Sequence, residues 1–179
     1  MAKVKIDINE YAGSQPLPMK EWLAVVDKLM LDSGCRVASS VVSNSKRNDG
    51  KFTYTSKRTK KTICIINIGT SGCNISMRGN HFIFSKGNEN ILDNLPKDVF
   101  DYVIKGAGCK PGEGCLNDDY TAKRGTYKGN NPCMHGVAEV FEYKGQKSHR
   151  CPHYGWKFDL KEAKNFEILM KWIALEIAW

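Results

Sequence analysis

Between Pro18 and Gly34 the apolar positions keep helical spacing. Trp22, Val25, Val26, Leu29 and Met30 fall at i, i+3, i+4, i+7 and i+8, which predicts one buried stripe. Pro18 suits the first turn of this helix and Gly34 its C-terminal end. The pattern then shortens to period two. "KVKIDI", near the start, alternates as a strand does, and "RVASSVVS", "KFTYTSK", "KTICIINI", "CNISMRG" and "HFIF" are further β-rich runs broken by turn residues. "RNDG" and "GTSG" predict turns between antiparallel neighbours. "ICIINI" is apolar on both faces and belongs in the middle of a sheet. In "CNISMR", Cys73, Ile75 and Met77 alternate with Asn74, Ser76 and Arg78, giving one dry and one wet face.

A second helix is predicted over "NLPKDVFDYVIKGAG", with Pro96 in its first turn. "VAEVFEYKGQKSH" predicts a hairpin turning at Lys144-Gly145. Reflecting that hairpin about Gly145-Gln146 places Cys151 opposite Val140. Asp159 and Glu162 have capping-box spacing ahead of a C-terminal helix. That helix is apolar nearly all round. Phe166, Leu169, Met170 and Ile173 form one face, and Ile168, Trp172, Leu175 and Trp179 another. A monomer that covers the second face itself is favoured over a homodimer joined through this helix. The expected class is α+β: an antiparallel sheet with packed helices over 1–105, a Cys-rich segment over 106–158, and a helix over 159–179 that packs back on the sheet domain.

The chain has 179 residues, a net charge of +8 and a sequence pI near 9.1. No run of about 18 apolar residues predicts a membrane span. The N-terminal "MAKVKIDINEYAGSQ" lacks the apolar core of a secretory signal, so a cytoplasmic, reducing location is expected. The positive charge admits a polyanionic partner. Its densest run is "SKRTKK", where Lys57, Arg58, Lys60 and Lys61 are the candidate nucleic-acid contacts, with Phe52 and Tyr54 as stacking surface. Lysines at a hairpin tip equally serve solubility.

Seven cysteines, an odd number, make a disulfide framework a poor fit to a reducing compartment. Cys35, Cys64 and Cys73 fall in or beside apolar elements and read as small buried hydrophobes. Cys109, Cys115, Cys133 and Cys151 lie together in a polar, Gly/Pro-rich segment with little apolar content of its own. A metal would supply the missing order. "CMH" and "CPH" each place a histidine, His135 or His153, two positions after a cysteine, where both point the same way in extended chain. The expected cofactor is structural Zn²⁺, with Cys109, Cys115, Cys133, Cys151, His135 and His153 as candidate ligands. "CKPGEGC" is wider than the usual ligand pair, and unmetallated thiols or redox chemistry stay open, although C-x-x-C is absent. Glu113 offers an acid or base for a catalytic zinc, but an exposed turn carboxylate is ordinarily just solvated. His81, the adjacent Asp118 and Asp119, and the Gly-rich "NIGTSG" form no nucleophile–base–acid set or phosphate cradle.

"ILDNLPKDVFDYVIKG", the spaced cysteines and "FEYKGQKSHRCPHYGWKF" resemble a group of small bacterial proteins. In that group a compact α+β domain precedes a cysteine-bearing tail ending in a Y-x-G-K…K-C-x-H pattern. Cys151 and His153 stand at the matching Cys and His. The resemblance covers roughly the last half of the chain and implies a bacterial intracellular protein, with no reaction attached. The resulting expectation is a non-enzymatic binding or interaction domain with a structural zinc. The alternative is a zinc-containing nucleic-acid-binding protein.

Overall fold

The computed structural model describes residues 7–44, 47–69, 72–80, 92–121, 126–127, 131–132, 138–151 and 155–178. The chain forms two compact units. One comprises residues 1–85 and 158–179, and the other residues 86–157.

The first unit is built on antiparallel hairpins. Cys35–Asn44 (β1), Arg47–Ser56 (β2), Thr62–Gly69 (β3) and Gly72–Met77 (β4) pair in sequence, and Trp156–Asp159 (β9) completes a five-stranded sheet in the order β1-β2-β3-β4-β9. The doubly apolar β3 occupies the centre, with Ile63, Cys64, Ile66 and Ile68 buried. The class is therefore α+β, as the periodicity predicts.

Several local expectations change. "RNDG" is not a turn: Arg47 pairs with Asn44 and all four residues lie in β2. On β4 the polar face is wet only at Asn74, because Ser76 and Arg78 are buried as well. An interior strand has both faces available for packing, and alternation alone does not reveal that.

Helix α2, Met19–Asp32, buries Met19, Leu23, Val26 and Met30, while Val25 is 46% exposed. The buried stripe is thus centred on Leu23 and Val26, a rotation away from Val25. "KVKIDI" falls mostly outside the described residues; its last two residues do not extend a strand. Asp7 instead caps a short helix, α1 (Ile8–Ala12), by accepting a hydrogen bond from the Asn9 backbone N–H. The C-terminal helix α4 spans Ala163–Ile177. Glu162 makes no side-chain cap bond, and Asp159 turns its carboxylate to the Lys161 N–H instead, so the capping box does not form. Asp159 belongs to β9, too far back to cap. The helix buries Ile168, Leu169, Trp172 and Ile173; Trp172 meets Phe158 edge-on, and Phe166 stacks on Trp22 at 4.8 Å. Trp179 lies outside the described residues, as does the "HFIF" run.

The second unit holds α3 (Lys97–Ile104), two-residue strands at Thr126–Tyr127 (β5) and Asn131–Pro132 (β6), and the hairpin Glu139–Tyr143 (β7) with Gln146–Arg150 (β8). The hairpin turns at Lys144 and Gly145, whose φ of 49° and 77° give the doubly left-handed turn that favours tight hairpins. Tyr143 pairs with Gln146 and Val140 with His149. Continued by one pair, this register places Cys151 opposite Ala138. The reflection about Gly145-Gln146 is therefore corrected to one about Lys144-Gly145.

Candidate metal centre

The segment after α3 joins the hairpin as a partial third strand. Ala107 donates its N–H to the His149 carbonyl at 2.8 Å and accepts from the Cys151 N–H at 2.6 Å, a parallel bridge centred on Arg150. This addition carries Cys109 alongside the chain at Cys151. Such closeness demands glycine. An added Cβ at Gly108, whose φ is 107°, would sit 2.4 Å from Cys151 Cβ. At Gly114, with φ of 57°, a Cβ would lie 2.5 Å from Cys109 Sγ.

"CKPGEGC" therefore closes as a knuckle. The Glu113 N–H donates to the Lys110 carbonyl at 3.0 Å, and the Leu116 N–H to the Glu113 carbonyl at 3.1 Å. Glu113 also takes the Lys110 N–H on its carboxylate, at 3.4 Å. Its charge is thus engaged within the turn. The small core beneath consists of Cys115, Leu116 and Ala138, with Cys109 and Tyr120 packed against it. Asp119 is likewise engaged, accepting from the backbone and hydroxyl of Thr121, and these bonds hold its carboxyl below the ordinary range.

Of the six candidate ligands, Cys109, Cys115 and Cys151 fall within the described residues and share this neighbourhood. Cys133, His135 and His153 lie outside them. Among the described residues no group of three or more Cys, His, Asp or Glu side chains converges at ligand distance. Cys35, Cys64 and Cys73 are free and buried, as their placement in apolar elements predicts. Burial pushes the Cys73 thiol up to about 12, with the Asp159 charge adding to the effect. Burial raises Cys35 and Cys64 in the same direction.

One residue was missed by sequence reasoning. His149 is buried, with its ring beside the Cys109 backbone. Its Nδ1 has no partner among the described residues. Burial lowers its pKa, and the neighbouring Cys109 backbone acts the other way. Tyr120 meets the ring edge-on at 5.9 Å, and Gly106 leaves room for it, since a Cβ there would be 2.7 Å from Nδ1. The signal was present as "HRC", which mirrors "CMH" and "CPH" at the same spacing.

The basic hairpin tip stands as predicted in position but not in chemistry. Lys57, Arg58, Lys60 and Lys61 are exposed at the β2–β3 connection, with Lys60 at φ of 61°. Phe52 and Tyr54, however, are buried at 1% and 0% exposure and offer no stacking surface. They alternate onto the packed face of β2, and the Tyr54 hydroxyl is turned to the Asp27 carboxylate. Among the described residues no helix is long and apolar enough to cross a membrane. No protein-family model matches this chain, and neither a curated protein nor a solved structure matches it.

Proposed function

We propose that the chain is a non-enzymatic binding or interaction protein whose Cys-rich segment is held by one structural zinc. The carrying observation is the parallel bridge at Ala107, which sets the Cys109 knuckle beside Cys151 with glycines at both close approaches. Sulfur-rich, glycine-tight turns of this kind suit thiolate ligation, since a side chain at Gly108 or Gly114 would occupy the space the sulfurs need. Cys109, Cys115 and Cys151 supply three thiolates in this reading. Cys133, His135 or His153 supplies the fourth ligand. The corrected hairpin register helps: Cys133 is five positions before Ala138, against seven before Val140, or about 17 Å of extended chain instead of about 23 Å.

When bound, zinc contributes a tetrahedral cross-link that the small Cys115–Leu116–Ala138 core lacks the area to replace. His149 then packs outside the ligand set, edge-on to Tyr120 and beside Gly106. Cobalt(II) exchanged for zinc tests the reading. Intense absorption from tetrahedral thiolate ligation is expected for the native chain and for Cys64→Ala, and its loss for Cys109→Ala and Cys151→Ala. Weak octahedral bands, or equal bands in all four proteins, would contradict it.

A further inference from the structure

A cavity of about 630 Å³ in the second unit lies against the same glycine segment and shares Gly108 and Cys109 with the zinc reading. Its lining runs from the end of α3 through Gly106, Gly108 and Cys109 to Trp156 and Lys157. We infer that this cavity is a binding site for a small organic anion, a carboxylate or phosphate carried on a flat apolar body.

Charge points that way. Lys105 and Lys157 are both exposed and both line the cavity, and no acidic side chain does so among the described residues. The backbone points the same way. The N–H groups of Gly108 and Cys109 are successive and take no acceptor among the described residues. Adjacent N–H groups around a left-handed glycine form a concave anion cradle, and Gly108 has φ of 107°.

One feature of the cavity opposes an anion: α3 ends there, and helix C-termini carry partial negative charge. That charge is largely answered. The Val103 carbonyl accepts from the Gly106 N–H at 3.0 Å, the Trp156 indole N–H at 3.1 Å and the Ser148 hydroxyl at 3.3 Å. The rest of the wall is apolar and fixed. Trp156 is held by its indole bond, and the Tyr102 hydroxyl donates to the Lys157 carbonyl at 2.6 Å. Rigid apolar walls with a few convergent polar groups are the usual build of a small-molecule site.

Backbone amide NMR on the full chain tests the inference at constant ionic strength. The probes are adenosine monophosphate and indole-3-acetate, with adenosine and indole-3-acetamide as uncharged counterparts. Saturable shifts are expected at the Gly108 and Cys109 amides with at least one anion and with neither neutral analogue. The anion that binds tells phosphate from carboxylate. Lys105→Gln and Lys157→Gln, both exposed and so compatible with folding, should each weaken binding roughly threefold, and together about tenfold. No saturable shift with either anion, equal binding of a neutral analogue, or full affinity in the double variant would overturn the assignment. The lysine variants leave every proposed zinc ligand in place, and metal content is read separately, so failure here is distinct from failure of the metal reading.

Discussion

At Cys35, Cys64 and Cys73 burial governs the chemistry of the thiol. Each pKa is raised, so each group holds its proton in the folded protein above the pH at which the unfolded chain loses it. The unfolded state then binds fewer protons, and stability falls as pH rises. The stability these groups contribute is complete below about pH 8.5 and is lost toward the folded value, which for Cys73 is about 12. In the native protein at pH 8 the three thiols should resist alkylation until denaturant is added, as mass spectrometry of labelled protein would read. Prompt labelling of Cys64 would contradict its burial. Tyr54 is a second test at this scale. Its hydroxyl is buried and donates to Asp27, so Tyr54→Phe should cost about 1–2 kcal/mol in urea unfolding. No measurable loss would mean that the bond does not stabilise the fold.

Among the elements, the knuckle and the hairpin offer a matched pair of glycines. Gly145 has φ of 77° with open space around it, so Gly145→Ala carries only the left-handed backbone cost of roughly 1 kcal/mol. Gly114 has φ of 57° and Cys109 Sγ where its Cβ would go, so Gly114→Ala should also lower metal content. Equal metal content in the two variants would separate the knuckle from the metal. The elements also show what periodicity can and cannot reveal. The strands β1 to β4 and the centrality of β3 were legible because alternation and a doubly apolar run report burial directly. The strand β9 was not read, although Trp156 and Phe158 are buried and Lys157 and Asp159 exposed in strict alternation. The capping-box spacing drew attention to Asp159 as a helix start. The turn at Lys144-Gly145 was legible from its glycine, and only the reflection used to place Cys151 was set one residue too far along. Cys109, Cys115 and Cys151, the described cysteines of the second unit, lie in the one segment whose composition sets them apart from Cys35, Cys64 and Cys73. His149 was not legible, since its place beside Gly106 and Tyr120 depends on the parallel bridge and on no local pattern.

For the whole molecule, the charge of +8 and the buried state of Phe52 and Tyr54 work together. A basic tip without stacking rings makes phosphate contacts only, and these weaken steeply with salt. Any duplex DNA binding seen at low salt should disappear by physiological salt, and charge reversal at Lys57, Arg58, Lys60 and Lys61 should flatten the salt slope. A sequence-selective complex that survives physiological salt, followed by fluorescence anisotropy, would instead make nucleic acid the partner. The central claim is the metal, and the decisive measurement is elemental analysis of protein purified without added metal, paired with melting in a chelator. The account predicts about one zinc per chain and a lower melting temperature once it is removed. A metal-free protein whose melting is indifferent to chelation would contradict it.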